Sequence, residues 1–539
     1  MYIFIAFLST YCYNFFGDDM KLRLPDKTKI ICDNYETENT VLHTEIKDGY
    51  IDVKVTSGDK LMFAVLRWNF TEAESRKEPV KILGDDWERG YGTFAWRGIE
   101  PERFMPWYIA VSNGSDKNTD YTGRFTECFG VGVQCGAFCS WQYDDRGVTL
   151  NLDLRNGGMP CESAGRTIDA CRIYFGEYRD CSAFSALRDF CGVMSPAPLK
   201  TDTVIYGSNN WYYAYGNSSR EEIINDARLI AGLCKGNENR PFMVIDEGWQ
   251  VNRFDAPWAP NEKFGDMKTL ADEISEAGAI PGIWVRFLVD GKKCLDLPEE
   301  ARRGENNEYL DPTHPAVKEH IRTTIKYLKD CGYKLIKHDF SSKDITGDWG
   351  KDLTEGKVPR SDEGFFDRSK TTAEIAVDFY KEILDAAGDT LIIGCNCFSH
   401  LCAGLVHANR TGDDTSGVEW NRTRKMGVNA LAFRLCQNRS FYMADADCVG
   451  ITGKVDWALN RRWLELLAES GSPLFVSCLP SQAKGEIYEN LKAAFIPASK
   501  QKDSLIPLDW MENNFPSEYL INGEYRRFNW YCETGADLI

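Results

Sequence analysis

The sequence predicts a multidomain α/β protein: a (β/α)8 TIM barrel preceded by an antiparallel β-sandwich and followed by a short, or truncated, C-terminal β segment. Three observations predict it. Apolar runs alternate with amphipathic stretches between Val204 and Cys478. Period-two runs broken by Gly, Asp and Asn fill the chain before Ala197. The stretch Ser195-Pro196-Ala197-Pro198 separates these two rhythms. Parallel strands joined by crossover helices produce the first pattern and half-exposed antiparallel strands the second, while prolines, which lack a donor and restrict the preceding residue, mark a linker.

Taken in order, residues 1–19 read as a leader or an over-called start, 20–197 as the sandwich, 201–494 as the barrel and 495–539 as the C-terminal segment. The apolar run Tyr2–Leu8 lacks a basic flank, a long apolar core and a small-residue cleavage site, so Met20 before Lys21-Leu22-Arg23-Leu24 is the more natural start and a secretory leader the second reading. Alternation in Tyr50–Val55 and Val148–Leu154 exemplifies the sandwich. Trp87, Trp96 and Trp107 lie on its loops and are expected to pack between domains.

The barrel strands are expected at Val204–Trp211, Phe242–Trp249, Ala279–Phe287, Lys334–Phe340, Leu391–Cys397, Val406–Asp414, Phe441–Asp447 and Pro473–Cys478. Helices are expected at Arg220–Cys234, Leu270–Ala277, Pro315–Asp330, Thr372–Ala387, Val418–Leu435 and Trp457–Ser470. After Gln482–Ala493, Tyr519–Tyr531 reads as a hairpin turning at Asn522-Gly523.

Composition bounds the partners. The 539 residues carry a formal net charge of −18, which leaves no basic stripe to neutralise phosphates and excludes nucleic acid. No apolar run is long enough to cross a bilayer, so no membrane partner is expected. The 19 cysteines are scattered and odd in number, which favours reduced thiols in a cytoplasmic setting. With 15 Trp and 24 Tyr the chain is rich in flat side chains that stack on sugars, though ordinary packing also uses them.

Barrel proteins do their chemistry where strands end, so the residues closing each apolar run are the informative ones. They are Asn209-Asn210-Trp211, Asp246-Glu247-Gly248-Trp249, Trp284 with Arg286, Lys337-His338-Asp339, Cys395-Asn396-Cys397, Arg410 with Asp413-Asp414, and Asp445 with Asp447. One such carboxylate is compatible with a helix cap. Carboxylates on four strand ends, interleaved with Trp, Lys and Arg, are costly unless paired or functional.

Cleavage of a glycosidic bond with retention needs one carboxylate that attacks and one carboxylic acid that protonates the leaving oxygen. Asp339 suits the first role, because Lys337 lies two residues away on the same face of a strand and a nearby cation would keep the carboxylate ionised. Asp414 suits the second, because adjacent Asp413 and a dry pocket would favour a proton; Asp413 is the second choice. His338 points to the opposite face and reads as packed core. The spacing in Cys395–Cys402 matches no structural zinc pattern, and no cofactor or metal is expected.

The stretches Phe242–Trp249, Leu335–Asp339 and Arg410–Asp414 resemble the α-galactosidase (melibiase) families of the retaining α-glycosidase clan. The resemblance implies Asp339 as nucleophile and Asp414 as acid/base. It further implies Asp246 and Glu247 on the hydroxyls far from the anomeric carbon, Lys337 and Arg410 on other hydroxyls, and Trp211 as a wall. Trp249, Arg286, Cys395 and Asp447 complete the expected substrate-binding set. Two departures bear on the sugar: Glu247 stands where the family has a second Asp, and Cys395–Phe398 lacks the glycine-rich or Glu-bearing pattern.

The expected activity is therefore hydrolysis of terminal α-linked sugars on oligosaccharides or glycoconjugates through a covalent glycosyl-enzyme, and a homo-oligomer is compatible with it. Transfer of the glycosyl group to another sugar shares the first half-reaction. A metal-dependent barrel hydrolase and an inactive carbohydrate-binding paralogue are the rival classes.

Overall fold

The computed structural model describes residues 22–33, 37–71, 79–115, 121–353, 356, 358 and 362–531. The leader reading and the alternative start at Met20 lie outside these.

Two antiparallel sheets form the N-terminal unit. One has five strands in the order Lys27–Cys32, Leu61–Asn69, Gly147–Asp153, Phe138–Asp144 and Met105–Pro106. The other has six: Thr40–Lys47, Tyr50–Ser57, Thr167–Arg179, Phe125–Val131, Tyr108–Ser112 and Lys81–Gly84. Alternation decides which side faces in: Ile51, Val53 and Val55 are fully buried while Asp52 and Lys54 between them are not. Trp68 and Trp141 from the first sheet meet Phe175 and Phe129 from the second at centroid distances of 5.5 and 6.1 Å, so the sheets pack face to face.

A helix the sequence reading did not anticipate, Ala183–Met194, starts at Ser182, whose hydroxyl accepts from Ser185 N–H. It lies so close to the six-stranded sheet that a Cβ on Gly130 would sit 2.4 Å from Met194 Sδ. Glycine there is what lets the helix dock.

The barrel strands are β1 (Tyr206–Asn209), β2 (Phe242–Ile245), β3 (Ile280–Val285), β4 (Leu335–His338), β5 (Leu391–Gly394), β6 (Ala408–Arg410), β7 (Met443–Asp445), β8 (Cys448–Ile451) and β9 (Leu474–Cys478). They form one parallel sheet in the order β7-β6-β5-β4-β3-β2-β1-β9-β8. The two ends of that order, β7 and β8, are halves of a single run broken at Ala446-Asp447, where Asp447 has φ 75°. The broken run joins β6 to β9 and closes the barrel, so the eight expected strands are present with the seventh split. Most are shorter than expected, and Asp246, Glu247, Asp339, Asp413 and Asp414 follow their strands rather than lying within them.

Five of the crossover helices begin at side-chain caps: Ser219 before Arg220–Leu233, Asp266 before Met267–Ala277, His314 before Pro315–Asp330, the Thr371/Glu374 capping box before Thr372–Ala387 and Asp456 before Trp457–Glu469. The single helix expected over Val418–Leu435 is instead a composite of Trp420–Thr423, a π-helical stretch Arg424–Asn429, Ala430–Arg434 and a 3-10 turn. Wider turns re-aim side chains, and here Asn429 bonds the backbone of Phe94 while Arg434 reaches Asp85, both in the sandwich.

After Gly485–Ala498 comes a three-stranded sheet of Leu505–Pro507, Glu518–Ile521 and Glu524–Arg527, with the Asn522-Gly523 turn in the left-handed region. The hairpin is thus supported by a third strand and by packing. Trp510 lies 5.5 Å from Trp96, 5.4 Å from Phe184 and 5.4 Å from Phe433, tying the sheet to sandwich and barrel together. Trp107 stacks on His400 at 5.2 Å, so these sandwich tryptophans pack between units as expected.

One buried carboxyl makes stability depend on pH. Asp226, in the helix after β1, accepts from Tyr213 Oη while its Oδ1 has no hydrogen-bond partner among the described residues. Burial pushes it up to about 7, against the Tyr213 hydrogen bond and with a small push from Glu222. The folded state therefore holds this proton more tightly than the unfolded chain, and its stabilising contribution, complete below about pH 4, is lost as pH rises through 7. Asp226→Asn is expected to unfold several degrees above wild type at pH 8, with the gap shrinking at pH 5, as read by thermal melts.

Candidate active site

The strand ends converge on one pocket lined by residues of β1 to β7 and by one residue of the sandwich. At its floor, Asp339 follows β4 directly. Phe340 adopts φ 65°, which turns its own N–H onto Asp339 Oδ1 at 2.7 Å. Asn396 Nδ2 donates to the same oxygen at 2.6 Å and Trp284 Nε1 to Oδ2 at 3.0 Å. All three partners donate, so the network asks the carboxylate only to accept.

Lys337 does not pair with Asp339, as its spacing had suggested. Its ammonium donates to Asp246 Oδ2 at 2.7 Å, where Asn209 Nδ2 also donates at 2.6 Å. Asp246 at the end of β2 is the better-placed anion across the barrel, whereas both oxygens of Asp339 are taken by Phe340 N–H, Asn396 and Trp284. Burial alone would lower Lys337, but Asp246, with Cys395 and Asp339, holds it well above the ordinary lysine value.

Glu247 accepts from Arg253 Nε at 3.2 Å and from Phe254 N–H at 3.1 Å. Burial raises it and Arg253 opposes. The turn after β2 needs Gly248, at φ 111°, because a Cβ there would meet Gly216 O at 2.4 Å. Phe254 rides on a hairpin of Gln250–Asn252 and Asp255–Pro260 and meets Trp211, Trp284 and Phe340 at 6.1–6.2 Å, with Trp349 5.5 Å beyond Phe340. These rings form an aromatic wall around the polar floor.

Opposite, Arg410 at the end of β6 contacts Asp414 Oδ1 at 3.1 Å and Asp447 Oδ2 at 3.0 Å. Asp447 Oδ2 also accepts from Thr415 N–H, Thr415 Oγ1 and Tyr212 Oη, so this oxygen anchors the residue at the pocket wall. Asp414 lines the pocket and Asp413 does not: Asp413 is held by Arg89 at 2.8 Å and Arg422 at 2.9 Å. Burial alone would raise Asp414, but Arg410, Arg89 and Lys337 outweigh it and hold the carboxyl below its ordinary value. This corrects the expectation that Asp413 would help keep a proton on Asp414. Two arginines absorb the charge of Asp413.

Eight of the expected residues line the pocket: Trp211, Asp246, Glu247, Lys337, Asp339, Arg410, Asp414 and Asp447. Three others stand behind it. Trp249 is fully buried and donates to Trp284 O at 2.9 Å. Arg286 makes a two-pronged pair with Asp344 at 2.6 and 2.9 Å and lies over the Phe340 ring. Cys395 Sγ is 3.7 Å from Arg410 Nη1. Each supports a pocket residue rather than facing the cavity, because residues two apart in a short strand share a face only while the strand lasts. His338 is buried against Phe287, Tyr380 and Cys397, as expected.

No protein-family model matches the sequence, and no curated protein matches it. Solved structures do. An α-galactosidase from Thermus thermophilus, in complex with p-nitrophenyl α-D-galactopyranoside, superposes with a TM-score of 0.59 at 15% identity over 95% of this chain and 99% of that one. The chain has the fold of an α-galactosidase. The galactosidase domain of an α-galactosidase-sucrose kinase gives 0.59 at 15% identity over 89% and 70% of the two chains. An α-galactosidase from Geobacillus stearothermophilus in complex with stachyose gives 0.56 at 15% over 86% and 67%.

Within this α-galactosidase fold, sequence reasoning missed Arg89, Tyr212, Phe254, Phe340 and Trp349 as lining residues. Asn209, Trp284 and Asn396 sat in the strand-end motifs without being assigned a role. The only signal for Arg89 is local: Asp85-Asp86-Trp87-Glu88-Arg89 is a dense charged run around a Trp inside a sandwich loop. Phe254, Phe340 and Trp349 follow strand ends at variable distance, where no periodicity guides a reading.

Proposed function

We propose that this protein is a retaining α-glycoside hydrolase of the α-galactosidase type, acting on terminal α-linked sugars of oligosaccharides or glycoconjugates. The observation that carries the reading is the pairing, in one aromatic-walled pocket, of Asp339, held by three donors, with Asp414 at the opposite strand end. The galactoside and stachyose complexes of the structural neighbours support an α-galactoside as the first substrate to try.

In this reading Asp339 attacks the anomeric carbon as Asp414 passes a proton to the departing oxygen, and the glycosyl group is left on Asp339 as an ester. Asp414 then takes a proton from water, which attacks the same carbon and releases the sugar with its α configuration. Lys337, Asp246 and Glu247 hold hydroxyls away from the reacting carbon, and Trp211, Phe254 and Trp284 exclude water beside it. The extra methylene of Glu247 brings its carboxylate to Arg253, which makes the sugar the point most open to test. A panel of p-nitrophenyl α-glycosides is expected to give release of p-nitrophenol with at least one sugar, α-galactose first. Turnover with β-glycosides alone, or sugar binding without turnover, overturns the reading.

A further inference from the structure

Arg89 belongs to the sandwich yet stands in the pocket wall. Its place is fixed by backbone on both sides: Gly90 N–H donates to Thr411 O at 2.8 Å and Asp413 N–H donates to Gly90 O at 2.8 Å, so the loop pairs with the chain leaving β6. Next to it Glu88, fully buried, accepts from Tyr91, Ser342 and Gly350 N–H, which ties the loop to the segment after β4 as well. The Arg89 side chain is 7% exposed, and its guanidinium lies 5.6 Å from the Trp349 ring.

The contacts of this arginine are unequal. Asp413 receives Nη2 at 2.8 Å and Asp414 receives Nη1 at 3.6 Å. Asp413 is further neutralised by Arg422. Asp414 thus sits in a field whose strength depends on how much of the Arg89 charge is absorbed by Asp413 and by Glu88, whose Oε1 is 3.7 Å from Arg89 Nε. The other groups facing Asp414 come from every wall: Arg410 from β6, Lys337 from β4, Asp447 from the break after β7, and Tyr212 and Tyr215 after β1.

We propose that Arg89, balanced by Asp413, is a positioning residue that sets the pH range over which Asp414 delivers a proton, so that the sandwich tunes the chemistry of the barrel. The inference rests on the reading of Asp414 as the acid/base. Removing the cation leaves the protonated form of Asp414 present to higher pH. Removing the counter-charge does the reverse, because only Glu88, 3.7 Å from Arg89 Nε, then shares the Arg89 charge with Asp414.

The test is the pH profile of kcat/KM on an α-linked disaccharide, whose poor leaving group needs the proton. Arg89→Met is expected to move the alkaline limb up by about one pH unit, Asp413→Asn to move it down, and Arg89→Lys to hold it near wild type. A parallel titration of 13C-carboxyl-labelled protein, with the Asp414 resonance identified by its loss in Asp414→Asn, reads the same displacement without turnover. Unmoved titrations, or shifts of one sign in both variants, overturn the proposal. Opposite shifts in a protein that cleaves no α-glycoside uphold the Arg89 field and overturn the glycosidase reading instead.

Discussion

Asp339→Gly is expected to lower kcat/KM on aryl α-glycosides by on the order of 10⁴-fold, comparable to loss of other covalent nucleophiles. Azide should restore turnover and give a β-glycosyl azide. Glycine leaves a hole beneath the anomeric carbon, and Trp284 Nε1, Asn396 Nδ2 and Phe340 N–H, which held the carboxylate at 2.6–3.0 Å, remain to receive an anion there. Attack from that side inverts the centre once. Asp414→Gly gives the opposite stereochemistry, because azide then intercepts the glycosyl-enzyme and the product is the α azide. The two products, distinguished by NMR coupling constants, assign the two carboxylates independently of rate. Full activity in Asp339→Gly would sink the assignment.

Arg434→Met should cost about 3–5 kcal/mol of stability, the range for breaking a buried ion pair from one side. Arg434 and Asp85 have side chains 1% exposed each and meet at 2.8 Å. The same guanidinium donates to the carbonyls of Asp86, Glu88 and Thr411, so its loss leaves the buried Asp85 carboxylate without its cation, with Gln437 still donating to it, and takes a donor from the carbonyls of Asp86 and Glu88 at the seam between sandwich and barrel. Burial raises Asp85 even with Arg434 present. Adding Asp85→Asn to the variant should recover part of the loss, and a double-mutant cycle by urea unfolding measures the coupling. A cost below about 1 kcal/mol would show that the seam is held elsewhere. The same variant is expected to weaken catalysis, since the loop it anchors carries Arg89.

The barrel was legible because its signal is periodic and local. Each of its eight strands is an apolar run, and the first seven runs end at residues that contribute to one pocket. Those strand ends alone bring Asp339, Asp414, Asp246 and Lys337 to one site, where all four line the pocket. The errors have a common physical source, which is that partner choice is three-dimensional. Lys337 and Asp339 share a strand face, yet Lys337 reaches across to Asp246. Asp413 and Asp414 are adjacent, yet one is neutralised by arginines from the sandwich and the following helix. The same limit hid the split of the seventh strand at Asp447 and the π-helical stretch Arg424–Asn429, since both answer to contacts with distant segments. Arg89 lay furthest out of reach, in a loop of another unit some three hundred residues from the carboxylates it touches.

The measurement closest to the central claim is covalent trapping. A 2-deoxy-2-fluoro or 5-fluoro α-glycosyl fluoride slows breakdown of the intermediate more than its formation, and mass spectrometry of a protease digest then locates the added sugar. The account predicts one glycosyl group per chain, on the peptide containing Lys337-His338-Asp339 and absent from Asp339→Gly. A label on Asp414 or Glu247, or hydrolysis that inverts the anomeric centre without any label, would contradict it.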